Sequence, residues 1–193
     1  MLNRSHPESK KALVLIDVQK GFLDPFWGRR NNPDLEKNIS ALLTHWRQLK
    51  LPVIHVQHLS VLSHSPLRPG QSGSEFMDFS RPLAHERIFT KTVNSAFIGT
   101  SLEATLQQEN INELLLCGLT SDHCVSTTTR MAANLGFKAW ISEGAVATFD
   151  RTDFQGNVLM AELIHQTALA SLHQEFCTVI PQFEALSRTF TAT

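Results

Sequence analysis

Cysteine is scarce in this chain of 193 residues: there are three, an odd number without regular spacing. That excludes a disulfide framework and favours a reducing compartment. No apolar stretch approaches the ~20 residues that would span a bilayer. The first eleven residues carry no apolar core of a secretory signal, so a cytoplasmic protein is expected. Charge of one sign is missing too. Lys plus Arg number 17 against 18 for Asp plus Glu, a net charge of −1. Nothing in that balance argues for nucleic acid or a polybasic membrane contact. There is no internal repeat, low-complexity tract or interdomain linker. With 42% hydrophobic and 18% charged residues, residues 1–193 read as a single domain with a substantial core.

The stretch around which the rest is organised is 112–136. Leu114-Leu115-Leu116-Cys117 is an apolar run of the length of a buried strand. Gly118 breaks it. Ser121 and Asp122 are natural helix N-caps, and Cys124 to Leu135 has helical content closed by Gly136. Cys124 therefore falls in the first turn of a helix, beside free N–H groups and the positive end of the helix dipole. Both favour a thiolate, and the N–H groups could hold an oxyanion. The alternative is a small buried hydrophobe, which fits Cys117 and Cys177 in their apolar runs. Polar neighbours set Cys124 apart.

Ala12 to Val18 is a continuous apolar run broken only by Asp17, as expected of a strand covered on both faces. Asp17 then stands at its carboxyl end. It either caps a turn or carries function, and a carboxylate in such surroundings needs a partner. Pro33 to Lys50 reads as a helix with Asn32 as N-cap and Leu35, Ile39, Leu42, Leu43, Trp46 and Leu49 inward. Val53 to His58 is a second strand, 59–86 a long loop of the kind that covers a site, and Arg87 to Thr90 a third strand, with Lys91 just past it. A helix runs from Gly99–Thr100 to about Glu109, with Leu102 and Leu106 inward. The fourth strand is Glu113 to Cys117 and the fifth Phe137 to Ser142, followed by a loop over 143–154. A long helix over 156–172 has Leu159, Leu163, Ala168 and Leu172 as core candidates. Phe176 to Ile180 is the sixth strand, and Pro181 opens a short last helix. Alternating strands and helices imply right-handed crossovers and an α/β fold, a parallel sheet between helical layers.

Parallel strands bring Asp17, Lys91 and Cys124 to one edge of that sheet. Together they have a chemical logic: the ammonium lowers the thiol's pKa and steadies the carboxylate, which takes the thiol proton and returns it to a leaving amine.

Three segments, Leu15-Ile16-Asp17-Val18-Gln19-Lys20-Gly21-Phe22, Lys91-Thr92-Val93-Asn94-Ser95-Ala96-Phe97 and Gly118-Leu119-Thr120-Ser121-Asp122-His123-Cys124-Val125, together resemble the isochorismatase-like cysteine hydrolases. The resemblance extends over about residues 12–180. It implies a doubly wound three-layer sandwich with a six-stranded parallel sheet in the order 3-2-1-4-5-6. It also implies an Asp17-Lys91-Cys124 triad, a cis Leu119–Thr120 peptide, and an oxyanion hole from the backbone N–H groups of Thr120 and Cys124. Relatives are often homodimers or homotetramers. Nicotinamidases of this superfamily ligate a metal through Asp-x-His and a further His after the second strand. Here the matching positions are His58 and Ser60, so no metal and no cofactor are expected. His55 and His58 point to opposite faces of a regular strand, and His64 is expected in solvent. Gln19, Phe22, Trp27, His58, Phe97 and His123 are the candidate substrate contacts for a small molecule. A complete triad favours C–N cleavage of a small amide or ureido compound through a Cys124 thioester. The alternatives are vinyl-ether hydrolysis of the isochorismatase type, with Asp17 as proton donor, and a non-catalytic protein that keeps the fold.

Overall fold

A computed structural model describes residues 10–187. Its organising strand, β1 (Lys10–Ile16), alternates strictly between two cores: Ala12, Val14 and Ile16 enter one, Leu13 and Leu15 the other. An apolar run with that alternation can sit only in the middle of a sheet covered on both sides. Its neighbours are β2 (Val53–His58) on one side and β4 (Ile111–Leu119) on the other, both parallel. Outside these lie β3 (Arg87–Lys91), then β5 (Lys138–Ala147) and β8 (Thr178–Ile180). The six strands take the order β3-β2-β1-β4-β5-β8, every pair parallel, which is the expected doubly wound arrangement. α1 (Leu35–Gln48) and α5 (Gln182–Ser187) cover one face, where Leu35, Ile39, Leu42, Leu43 and Trp46 are buried. α2 (Leu102–Gln108), α3 (Cys124–Asn134) and α4 (Ala161–Leu172) cover the other. Truncating one of these buried leucines to alanine removes about 2–5 kcal/mol.

Several local expectations give way to tertiary partners. Asn32 does not cap α1, whose N-cap is Asp34. Asn32 has φ 46° and donates its amide to the carbonyls of Val146 and Glu143, pinning the helix entry to β5. β5 runs on to Ala147, five residues past Ser142, because a register shift beside Leu116–Gly118 lets it keep pairing with β4. The helix expected over 156–172 begins only at Ala161. Ahead of it, β6 (Arg151–Thr152) and β7 (Val158–Leu159) form a hairpin whose turn is closed by Asp153 accepting from the Gln155 and Asn157 N–H groups. Leu159 therefore lies in a strand and Leu163 is exposed, while Ala161, Leu169 and Leu172 are the buried residues of α4.

The long 59–86 segment is held closely against the site edge. The short 3-10 turn at Ser72–Ser74 lies against the one at Lys20–Leu23, and that at Asp78–Ser80 lies against α1, with Asp78 paired to Lys20. A side chain at Gly73 would meet the Pro66 carbonyl at 2.1 Å, so the packing requires glycine there. Among the described residues no helix is long and apolar enough to cross a membrane.

Candidate active site

The carboxyl ends of β1, β3 and β4 meet at one place. β1 stops at Ile16, and Asp17 turns off it with φ 53°, fully buried. Such a backbone setting in a non-glycine residue costs of order 1–3 kcal/mol and persists only where the surroundings impose it. Part of what imposes it is Gly118, at φ 116°, whose missing Cβ would lie 2.0 Å from the Ile16 carbonyl oxygen. The two strands thus close together immediately before Asp17 and before the turn that carries Cys124. The Leu119–Thr120 peptide is cis.

Lys91 is the last residue of β3 rather than the first of a loop. β2 separates β3 from β1, so second-neighbour strands lie roughly 10 Å apart. Only a long side chain crosses that gap. The Lys91 ammonium reaches Asp17 Oδ2 at 2.7 Å, Cys124 Sγ at 3.3 Å and His58 Nδ1 at 3.1 Å. Neither side chain of the Lys91–Asp17 pair is exposed. Asp17 Oδ1 is buried with no hydrogen-bond partner among the described residues. It is the free acceptor of the group, and the Asp17, His58 and Cys124 donor atoms all lie within 4.8 Å of one another.

Donor atoms so placed could enclose a metal ion, but Lys91 already places a positive charge against all three. His55 is remote from them. It faces the other way, buried, with Nε2 2.8 Å from Glu86 Oε2, and His64 is exposed.

Electrostatics reverse one expectation. Cys124 is not a low-pKa thiol at rest. Burial pushes its thiol well above the ordinary range, the Asp17 charge adds to that, and Lys91 only opposes it. Burial likewise raises the Asp17 carboxyl against the pull of Lys91. The resting site is thus a protonated thiol beside a carboxylate that can be made basic. Cys117 and Cys177 are also raised by burial, Cys177 to about 12. Company distinguishes Cys124, not acidity.

Ser121 and Asp122 do not cap α3; His123 takes the N-cap position. The Ser121 hydroxyl lies 3.0 Å from His165 Nδ1 on α4. Asp122 accepts from Thr148 and Arg151, and against burial these bonds hold its carboxyl at about 2. The His123 and Val125 N–H groups both donate to the Thr120 carbonyl, which folds the backbone around the Cys124 amide.

The expected substrate contacts divide. The Gln19 amide is spent on the His58 backbone and the Ser74 carbonyl, a clamp rather than a ligand contact. Phe22 is buried against Trp27 and Phe149, and Phe97 against Phe137. His58 and Trp27 are half-buried, and His123 is exposed. Asn94, whose Oδ1 lies 3.7 Å from Cys124 Sγ, was not singled out from the sequence, though it stands in the Lys91–Phe97 segment. A hollow of about 510 Å³ opens beside His123, lined by Asp122, Ser126, Arg130 and Arg151. A larger one, about 740 Å³, lies at the amino ends of β2 and β3, at Val53 and Arg87. Size does not locate the chemistry here; the convergence on Lys91 does.

The isochorismatase domain model matches residues 11–182. The chain belongs to the isochorismatase-like cysteine hydrolases. The isochorismatase family protein YrdC of Bacillus subtilis is 46% identical over 173 residues, 90% of this chain and 92% of that protein. A crystal structure of an isochorismatase-family hydrolase from Chromobacterium violaceum superposes with a TM-score of 0.89 at 41% identity, covering 96% of this chain and 97% of that one. An isochorismatase from Pseudomonas putida gives 0.83 at 33%, covering 94% of both. As a member of this family the chain is a cysteine-dependent hydrolase, with Asp17, Lys91, His58 and Cys124 clustered at the sheet edge.

Proposed function

We propose that this hydrolase cleaves the C–N bond of a small amide or ureido compound through a thioester on Cys124. The observation that carries this is the single ammonium bridging a buried carboxylate and a buried thiol, at 2.7 and 3.3 Å. As substrate enters, Asp17 takes the Cys124 proton on its free oxygen while sulfur attacks the carbonyl carbon. Lys91 offsets the negative charge that moves between them. The tetrahedral oxyanion is held by the backbone N–H groups of Thr120 and Cys124. Collapse breaks the C–N bond, and Asp17 returns the proton to the departing amine. Water, deprotonated by Asp17, then attacks the thioester, releasing the carboxylic acid and the thiol.

His58, Trp27 and His123 have the exposed surface to meet a substrate, and Asn94 lies beside the sulfur. A screen of small amides, carbamoyl amino acids and ureido acids for ammonia release tests the reading, with Cys124→Ala as control. Loss of turnover in that variant is expected. Turnover that survives it would favour the second reading, vinyl-ether hydrolysis with Asp17 as proton donor, which the isochorismatase likeness keeps in view. A non-catalytic role would leave Cys124 no more reactive toward iodoacetamide than Cys117 or Cys177.

One sheet with a core on each face, within a match over 11–182, supports a single domain. The chemistry above uses no cofactor, metal, nucleic acid or membrane. Three free cysteines suit the cytoplasm. The exposed apolar residues of the hairpin region, Phe154 at 96% and Val158 at 65%, suit association into a homodimer or homotetramer.

A further inference from the structure

Lys91 has three protons to place, and one goes to a group that the scheme above does not use. An ammonium has no lone pair, so at 3.1 Å His58 Nδ1 must be the acceptor. That fixes the ring as neutral, with its proton on Nε2. The ring is placed with unusual care. The parallel register sets His58 directly beside Lys91. Gln19, itself fully buried, grips His58 from both sides of its peptide: Oε1 accepts from the His58 N–H at 2.8 Å and Nε2 donates to its carbonyl at 3.0 Å. The same Nε2 is anchored on the Ser74 carbonyl at 2.9 Å. Such a clamp on one half-buried imidazole has a use if the position of Nδ1 matters.

We propose that His58 is a positioning residue for Lys91: as a neutral acceptor it fixes the third N–H, aiming the ammonium at Asp17 and Cys124, and protonating the ring releases it. The inference rests on the cysteine-hydrolase reading of the site. The groups that face the ring are Lys91 from β3, Asp17 from the end of β1, Cys124 from α3 and the Val93 carbonyl. A protonated ring would turn Nδ1 from acceptor into donor and set two positive charges 3.1 Å apart. Burial first, then Lys91, hold the ring below the ordinary histidine range, and Asp17 opposes them. The switch therefore lies on the acid side of neutrality, with the working state above it.

The test compares His58→Asn with His58→Ala. Asparagine places an oxygen acceptor close to where Nδ1 stands, yet does not titrate; alanine removes the acceptor. The rate of Cys124 alkylation by iodoacetamide is followed from about pH 4 to 8, with Cys124→Ala as the blank and thermal unfolding as the fold control. The wild-type rate is expected to fall on acidification in a step that follows His58. His58→Asn should keep a plateau rate within roughly threefold and lose the histidine step, whereas His58→Ala should lose roughly tenfold or more at the plateau. An acid profile unchanged in His58→Asn, or wild-type alkylation in His58→Ala, overturns the proposal. If His58→Ala does not fold, the profile of His58→Asn decides. Because alkylation needs no substrate, turnover that survives Cys124→Ala would refute the thioester mechanism while leaving the His58 result readable.

Discussion

Lys91→Met removes one positive charge while keeping most of the stem. The lost charge belongs to a pair in which neither side chain is exposed. Removing one partner of such a pair leaves the other uncompensated, at a cost of about 3–5 kcal/mol. Asp17 can escape part of that cost by taking a proton. A change of 3–4 kcal/mol is worth roughly two to three pKa units, and burial has already raised this carboxyl. In the variant Asp17 should therefore be protonated near neutrality and unable to accept the thiol proton. Cys124 meanwhile loses the one neighbour that opposed burial, and burial alone then keeps the proton on sulfur. The two effects act on one step, and about 4 kcal/mol there is roughly a thousandfold in rate. Turnover and the iodoacetamide rate should both collapse. Asp17→Asn should behave differently in kind: the ammonium stays beside sulfur and the opposing charge is gone, so alkylation holds or quickens while turnover is lost. Combining the two changes should recover stability without activity, the mark of coupled neighbours. Turnover of Lys91→Met within tenfold of wild type, or the same alkylation profile in both single variants, would refute the division of labour.

Gly118→Ala should destabilise by roughly 2–5 kcal/mol in denaturant titration, because a left-handed φ and a Cβ 2.0 Å from the Ile16 carbonyl act together; an alanine tolerated without loss would show that β1 and β4 need not approach so closely. The Glu86 side chain is enclosed, and despite that burial, bonds from Arg47, the Leu83 N–H and His55 hold its carboxyl at about 2. Its stabilisation is therefore complete above the ordinary carboxylate value and lost as pH falls toward 2, while His55, held low by burial, starts the decline nearer 6.5. Urea midpoints against pH should show both phases, and Glu86→Gln should flatten the lower one from a reduced starting stability. Asp122→Ala frees Arg151 and the hairpin from the nucleophile turn; kcat/KM should fall about tenfold with Cys124 alkylation little changed, and an unaffected kcat/KM would separate that turn from the hairpin.

What could be read from the sequence was whatever period and topology decide. The alternation of β1 between two cores follows from an apolar run of strand length, and parallel topology alone puts Asp17, Lys91 and Cys124 at one edge. Local preference failed where a distant residue offered a better partner. Ser121 and Asp122 are good caps, but His165 and Arg151, some 44 and 29 residues away, claim them. Asn32 is drawn off to β5, 114 residues on. In the region of α4, helical periodicity ran through a hairpin turn, since Asp153 to Asn157 closes itself with hydrogen bonds that no apolar pattern marks.

The protonation of the site was hidden for a different reason. Helix dipole and lysine charge can both be inferred from order along the chain, and both argue for a thiolate. Desolvation cannot be inferred that way, because it depends on how completely the surrounding elements close. Once β1 and β4 seal at Gly118, Asp17 and Cys124 share one buried volume, and burial and the carboxylate work against the thiolate while Lys91 works for it. A permanent thiolate there would leave two anions to one cation in low dielectric. A resting thiol with a single shared proton keeps the cluster near neutral, and the proton moves only when a carbonyl carbon is present to take the sulfur. The same reasoning explains a neutral His58: a second cation would remove Lys91 from the balance. The charge count, one ammonium to one carboxylate, is what the buried edge can hold.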